Sequence, residues 1–281
     1  MTEYLIKTMN REEIDLAIAW AALEGWNPGL HDADCFYTAD PNGFWVGLLD
    51  NEPISVLSTV KYGDDFAFLG FYIVKPEYRG QGYGFKLWNT ALESLKGRNI
   101  GLDGVLAQQE NYEKSGFQFA HRNIRYEGKG GIEVPHQKEI IELKDLTFDY
   151  LCVYNGAFFP SDRTSFLQCW INQPESFALG ILENSQLAGY GVIRACQTGY
   201  KIGPLFADNE TLAESLFLAL QSKIKPDTPI FLDTPEVNPT AIKLAERHGM
   251  KIVFETARMY TRNIPELPFE RWFGVTTFEL G

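Results

Sequence analysis

The sequence predicts an α/β (α+β) protein in which one domain plan is used twice. Three observations carry this. Short runs rich in Val, Ile, Phe and Tyr alternate with amphipathic helical segments along the whole chain. A glycine-rich loop, Arg79-Gly80-Gln81-Gly82-Tyr83-Gly84, stands between one such strand and a helix. A shift of 133 positions lays the second half of the sequence on the first without a gap over a long stretch.

The repeat is modest in identities but well placed. Pro41 falls on Pro174, Phe44 on Phe177, Gly47 on Gly180, Leu49 on Leu182, Asn51 on Asn184, Gly70 on Gly203 and Glu77 on Glu210. Later, Glu113-Lys114-x-Gly116 falls on Glu246-Arg247-x-Gly249. These are turn and strand-end positions, where backbone geometry dictates the residue. Two domains are expected, residues 1–130 and 136–281. They meet near Gly128–Gln137, where Gly-Lys-Gly-Gly and Pro135 read as a linker.

In the first half, Tyr4–Thr8 reads as a strand. Asn10 with Glu13 makes a capping box opening a helix that runs to about Leu23. Gly25-Trp26-Asn27-Pro28-Gly29 ends it, and a short helix follows at Asp32–Tyr37. Strands are predicted at Phe44–Leu49, Ile54–Tyr62 and Phe66–Val74. Pro76 and Glu77 break the last of these. After the loop, Leu87, Trp88, Ala91, Leu92 and Leu95 recur at helical spacing. A strand at Ile100–Leu106, a short helix at Gln109–Ser115 and strands near Phe117–His121 and Ile124–Tyr126 complete the half. The second half repeats the plan, with one helix opened by Asn238-Pro239, a good cap and a good first helical residue.

Composition narrows the function. Of 281 residues, 45% are hydrophobic, enough for real cores. The net charge of −12 leaves no basic cluster to meet nucleic acid. No N-terminal signal pattern and no run of membrane-spanning length is present, so a cytoplasmic location is expected. Cys35, Cys152, Cys169 and Cys196 lack metal spacing and read as reduced, mostly buried thiols. No metal site is expected. His121 and His248 read as packing or surface residues.

Gly80, Gly82 and Gly84 sit at a predicted helix N-terminus, where free amides and the macrodipole favour an anion. The sequence is not G-x-x-x-x-G-K-[ST], which excludes a Walker loop, nor G-x-G-x-x-G after an early βαβ unit. It fits R/Q-x-x-G-x-G/A, and Val74-x-Pro-Glu-Tyr-Arg-Gly precedes it. In these residues the chain resembles the GNAT-type acyl-CoA N-acyltransferases. The segment from Gln108 to Phe117 is similar to a second signature of that family.

The resemblance implies two GNAT-like domains, each with a mixed, mostly antiparallel sheet flanked by helices. It implies acetyl-CoA as cosubstrate, with its pyrophosphate on Arg79, Gly80, Gln81, Gly82, Tyr83 and Gly84. The pantetheine arm would lie along the backbone of Ile73 and Val74. By the same resemblance Tyr112 is the general acid for the leaving thiolate, and Gln109 and Asn111 border the cofactor. One departure is that Asn111 is adjacent to the tyrosine, whereas the family's asparagine lies several residues earlier.

In the second half, Leu212, Ala213, Ser215 and Phe217 replace Arg79, Gly80, Gly82 and Gly84, and Ala245 replaces Tyr112. A single cofactor site, in the first half, is therefore expected. The acceptor is expected to be the primary amine of a small molecule, attacking directly in a ternary complex. Trp26, Asp32 and Asp34 are candidates for holding it, through cation–π and charge contacts. They read equally as a polar loop with Trp26 in the core. Asp233, Glu236 and Asn238 are candidates for a wall supplied by the second half, or simply for a cap and solvated acids. Two other functions stay open: a non-catalytic acyl-CoA sensor, and a transferase using another acyl donor. Oligomeric state is not legible.

Overall fold

The computed structural model describes residues 3–132 and 139–281. The first half runs β1 (Tyr4–Thr8), α1 (Arg11–Leu23), α2 (Asp32–Ala39), β2 (Phe44–Leu49), β3 (Glu52–Tyr62), β4 (Phe66–Val74), α3 (Tyr83–Glu93), β5 (Asn99–Val105), α4 (Gln109–Lys114) and β6 (Gln118–Lys129). The second runs β7 (Ile140–Glu142), α5 (Phe148–Gly156), α6 (Thr164–Trp170), β8 (Ser176–Glu183), β9 (Gln186–Ala195), β10 (Tyr200–Ala207), α7 (Glu210–Ser222), β11 (Pro229–Pro235), α8 (Pro239–Arg247), β12 (Lys251–Tyr260) and β13 (Trp272–Gly274). None of the described helices is long and apolar enough to cross a membrane.

Local signals set these elements. Asn10 Oδ1 accepts from the Glu13 amide and Glu13 Oε2 from the Asn10 amide, both at 2.9 Å, so the capping box forms. Asp50 and Asn51 turn β2 into β3 with φ of 49° and 69°, and Asn184 and Ser185 turn β8 into β9 with 51° and 63°. Two consecutive left-handed residues match the twist of a tight hairpin, which explains the repeated asparagine. Two expectations change. Gln118–His121 and Ile124–Tyr126 belong to one strand, β6, because it has a neighbour on both sides, and Phe117 lies just before it. The expected linker starts too early, since Gly128 and Lys129 are still in β6 and pair with β11; its residues 133–137 lie outside the described residues.

The described strands form one 13-stranded sheet, in the order β1-β2-β3-β4-β5-β12-β6-β11-β10-β9-β8-β7, with β13 beside β10. Only β4–β5 and β10–β11 pair in parallel. Alternation along the strands gives each face its own core. Val56 and Phe68 pack with α1 and α2, while Leu57, Ala67 and Leu69 pack with Leu87, Trp88 and Ala91 of α3. In the second half Ala213, Leu216, Phe217 and Leu220 of α7 and Ala241, Leu244 and Ala245 of α8 share one core.

The middle of the sheet is crossed. β12, from the second half, lies between β5 and β6, and β6, from the first half, lies between β12 and β11. Each half thus gives its last long strand to the other. Two buried ion pairs latch the exchange. Arg125 on β6 reaches Asp233 on β11 through Nε and Nη2 at 2.7 and 2.8 Å. Arg258 on β12 reaches Asp103 on β5 through Nε and Nη2 at 2.8 and 2.6 Å. Bidentate geometry of this kind is what makes a buried charge tolerable.

Candidate active site

β4 and β5 pair only from Phe66 to Leu69 and from Asn99 to Leu102. Beyond that they splay, although both continue, to Val74 and Val105. A bulge helps to turn β4 away. Phe71 and Tyr72 together oppose Leu57, and Phe71 takes a φ of 49°, a strained value for a bulky residue. The splay opens into a cavity of about 810 Å³.

At one end of the cavity is the glycine loop. Gly80 and Gly82 have φ of 74° and 86°, and a Cβ on either would meet nothing within 4 Å. Glycine is needed there for backbone conformation and to leave room, not for packing. Gly84 differs: a Cβ would lie 2.8 Å from both the Tyr72 hydroxyl and a Val74 methyl. Gly82 caps α3 with no side-chain hydrogen bond. The first amides of α3 are therefore left for an anion.

Arg79 steadies this loop from outside: its Nε donates to the Val74 carbonyl at 2.8 Å and its Nη2 to Glu24 at 2.5 Å. Gln81 donates to the Glu77 carbonyl at 2.8 Å. The Tyr83 ring packs on Tyr4 at 4.9 Å.

Tyr112 stands across the splay. Its ring lies over Gly104, which has no side chain to exclude it, and packs 5.8 Å from Trp88 and 6.3 Å from Phe117. Burial, with the Tyr72 phenol nearby, pushes the Tyr112 hydroxyl up to about 12. Burial also pushes Tyr72 up to about 12. Both phenols line the cavity and hold their protons at neutral pH.

Of the residues expected at a site, Trp26, Ile73, Val74, Arg79, Gly80, Gly82, Gly84, Asn111 and Tyr112 line this one cavity. Gln81, Tyr83 and Gln109 stand beside it, with Gln109 turned to Glu113 at 2.9 Å. Asp32 and Asp34 do not join it. Asp32 is fully buried and takes Arg194 Nε at 2.7 Å and Nη2 at 3.1 Å. Asp34 holds Arg11 at the surface, at 2.5 Å. The wall that the second half supplies is also not the expected one. Asp233 is locked to Arg125, Glu236 pairs with Arg122 at 3.2 Å, and Asn238 caps α8 by accepting from Thr240 and Ala241. Phe254 and Thr256 of β12, with Phe278 and Glu279 beyond β13, form that wall instead. No local pattern marks these four, because the crossed strand and the terminal segment bring them in from far along the chain.

Among the described residues, the matching gap in the second half is closed. β10 and β11 pair from Tyr200 to Ile202 and then splay in the same way. Here β13 fills the gap: it pairs with Leu205 and Phe206 of β10, and Val275 donates to the Asp233 carbonyl on β11 at 2.7 Å. The start of α7 is closed too, since Asn209 Oδ1 accepts from the Leu212 amide at 3.0 Å. His121 is buried with its ring edge-on to Phe269, and His248 pairs with Glu214 at 2.8 Å. All four cysteines are free thiols.

Comparison with known proteins places this geometry. Residues 11–117 match the acetyltransferase (GNAT) family model, and residues 151–274 match a second model, the acetyltransferase (GNAT) domain. Over 98% of its length the chain is 29% identical to the holothin acyltransferase of Pseudoalteromonas sp. (strain SANK 73390), covering 94% of that protein. The fold is similar to a Pyrococcus horikoshii structure assigned as an acetyltransferase, with a TM-score of 0.84, 21% identity, and 99% and 96% of the two chains covered. It is also similar to a tandem GNAT protein from the clavulanic acid biosynthesis pathway, with a TM-score of 0.63, 13% identity, and 94% and 100% covered.

Proposed function

The chain belongs to the GNAT acyltransferases, with two such domains in tandem, and from that premise we propose that it moves an acyl group from acyl-CoA to the primary amine of a small molecule, within the first half. The observation that carries this is the open splay between β4 and β5. It joins an uncapped helix start at one end to the Tyr112 phenol across the gap, and the second half has neither feature free.

The residues present fit acyl-CoA. The amides of residues 79–84 would take the pyrophosphate, with Gly80 and Gly82 leaving space for close approach. The edge of β4 from Gly70 to Val74, unpaired on the β5 side, would hydrogen-bond the pantetheine arm. An amide on that edge, fixed before reaction, would stabilise charge building on the thioester oxygen. Tyr112, protonated at neutral pH, would give its proton to sulfur as the carbon–sulfur bond breaks. The amine attacks the thioester carbon directly, so no acyl-enzyme is needed.

Acetyl is the default donor. A second reading, a different acyl group, is favoured by the relative named holothin acyltransferase and by a loop whose amides would meet only the pyrophosphate and not the acyl group. The test is calorimetric titration with CoA and with acetyl- and longer acyl-CoAs, followed by thiol release against a panel of amines. Binding at one site per chain with amine-dependent thiol release is expected. Binding without turnover of any amine would leave a sensor and overturn the transferase reading.

A further inference from the structure

The wall that the second half gives to the cavity is the unexpected part of the site. We propose that it is the acceptor subsite, in which Glu279 holds the attacking ammonium and takes its proton while the aromatic side chains around it select an apolar, ring-bearing primary amine. This rests on the transferase reading above.

Among the described residues two acids other than Glu279 line the cavity, Asp103 and Glu24, and each is engaged, as is Asp233 behind them. Asp103 is held by both prongs of Arg258 and by Asn123 at 2.8 Å. Glu24 holds Arg79 at the mouth. Asp233 is locked to Arg125. Glu279 is 3% exposed, and one of its carboxylate oxygens accepts from the Thr277 hydroxyl. No described hydrogen bond reaches the other oxygen, and it is not one of the fully buried unpartnered atoms. Its backbone lies against Gly70, where a Cβ would strike the Glu279 carbonyl. That places Glu279 at the apex of the splay, four residues along β4 from Val74 and so roughly 13 Å from the loop end. Thr256, 2% exposed, also lines the cavity with a hydroxyl that lacks a partner. A buried hydroxyl without a partner, such as that of Thr256, is uncommon and suits a ligand.

The apolar surroundings argue for the acceptor's body. Trp26, Phe71, Phe254 and Phe278 line the cavity, and three of them lie outside β4 and β5. The Arg125 guanidinium already lies over Phe254 and Phe278, at 5.7 and 4.8 Å from their ring centres, so it is the remaining aromatic faces, Trp26 and Phe71 among them, that would stack on a flat group or attract an ammonium.

The chemistry balances. The acceptor ammonium passes one proton to the free oxygen of Glu279. The amine nitrogen forms its bond to the thioester carbon. The carbon–sulfur bond then breaks, sulfur takes the Tyr112 proton, and the nitrogen's second proton restores the phenol. Glu279 returns its proton to water as product leaves. The charged groups facing Glu279 are Arg125 on β6, Arg194 on β9 and Lys201 on β10. Arg125 and Arg194 are neutralised by Asp233 and Asp32, and Lys201 donates to the Asn27 carbonyl at 2.8 Å.

The experiment uses the full chain, acetyl-CoA, and benzylamine, phenethylamine and tryptamine beside putrescine. The arylalkylamines should be acylated with higher kcat/KM than putrescine. Glu279→Gln should lower their kcat/KM by about 10²-fold with CoA affinity unchanged by calorimetry, and Glu279→Asp should restore part of it. In the wild type kcat/KM should level off well below the amine's own pKa. In Glu279→Gln it should keep rising with pH up to that value. Thr256→Val should raise KM for the amine with kcat nearly unchanged. A Glu279→Gln protein with the wild-type pH profile and rate overturns the role of Glu279. Preference for putrescine, or turnover of putrescine with none of any arylalkylamine, overturns the acceptor class. CoA titration of the same samples is untouched by either result, so failure here stays separate from failure of the cofactor site.

Discussion

Arg258 grips Asp103 with two hydrogen bonds across 155 residues of sequence. Arg125 and Asp233 make the matching grip in the other direction. Arg125 and Arg258 are themselves 133 positions apart, the period of the repeat. The duplication has therefore kept a crossed latch, one arm from each half. Removing one partner of such a pair strands a charge with no water around it. Asp103→Ala should destabilise the protein by about 3–5 kcal/mol, measured by denaturant unfolding. A loss under 1 kcal/mol would mean that Arg258 finds another partner.

Cofactor binding should be confined to one half. One CoA per chain is expected by calorimetry, because β13 occupies the second splay and Asn209 closes the start of α7. Gly82→Val should weaken CoA at least tenfold, about 1.4 kcal/mol, since a branched residue disfavours a φ of 86° and would stand where phosphate approaches. Two equivalent sites per chain would refute this.

Tyr112→Phe should lower kcat by roughly 10²-fold and leave CoA affinity alone. Because the phenol is raised to about 12, it stays protonated below that value. The wild-type kcat should show no alkaline fall from this group up to pH 10. An unchanged kcat in an assay limited by chemistry would make Tyr112 a packing residue.

His121 gives an acid-side prediction. Burial and the neighbouring Arg258 push it down to about 3, while in the unfolded chain it titrates near 6.5. The unfolded state therefore binds a proton that the folded state refuses between these values. Stability should fall with pH through that window, by up to about 1.4 kcal/mol per unit. His121→Phe should flatten the drop in melting temperature between pH 6.5 and 5. Equal slopes in the two proteins would assign the acid sensitivity to carboxylates.

A first half expressed alone, residues 1–132, should not give a cooperative fold. β5 would lose β12 from its edge, and β6 would lose both neighbours. Such bare edges invite aggregation. Mixing this piece with residues 139–281 should restore near-UV dichroism and a single species on gel filtration. A monomeric, cooperatively unfolding fragment 1–132 would contradict the crossed sheet.

What was legible in the sequence was local. Gly80 and Gly82 announce their left-handed backbone, Asn10 and Asn238 announce helix starts, and Asn51 and Asn184 announce matching hairpins, because each acts within a few residues of itself. The motif around Tyr112 singled it out, and it lines the cavity. The aspartates misled: Asp32 beside Trp26 suggests a binding loop, but its partner is Arg194, 162 positions away. Thr256 and Glu279 carry no local mark at all, because their meaning comes only from the strand and segment that deliver them. The shared glycine at 70 and 203 was legible as a repeat but not as a reason. Both positions face carbonyl oxygens of the last stretch of chain: Glu279 at Gly70, and Val275 and Thr276 at Gly203.

The crossed strands also set a timetable. During synthesis the loop, α3 and Tyr112 are made well over a hundred residues ahead of β12 (Lys251–Tyr260). The neighbour that β5 needs, and the residues that close the cavity, come only with β12 and with Phe278 and Glu279. Until then the nascent first half holds an unpartnered edge and a buried aspartate with no arginine, and pairings this distant are slow to form. The exchange therefore makes competence a joint property of the two halves: a chain stalled or clipped before β12 would retain the whole glycine loop and still lack its partner strand.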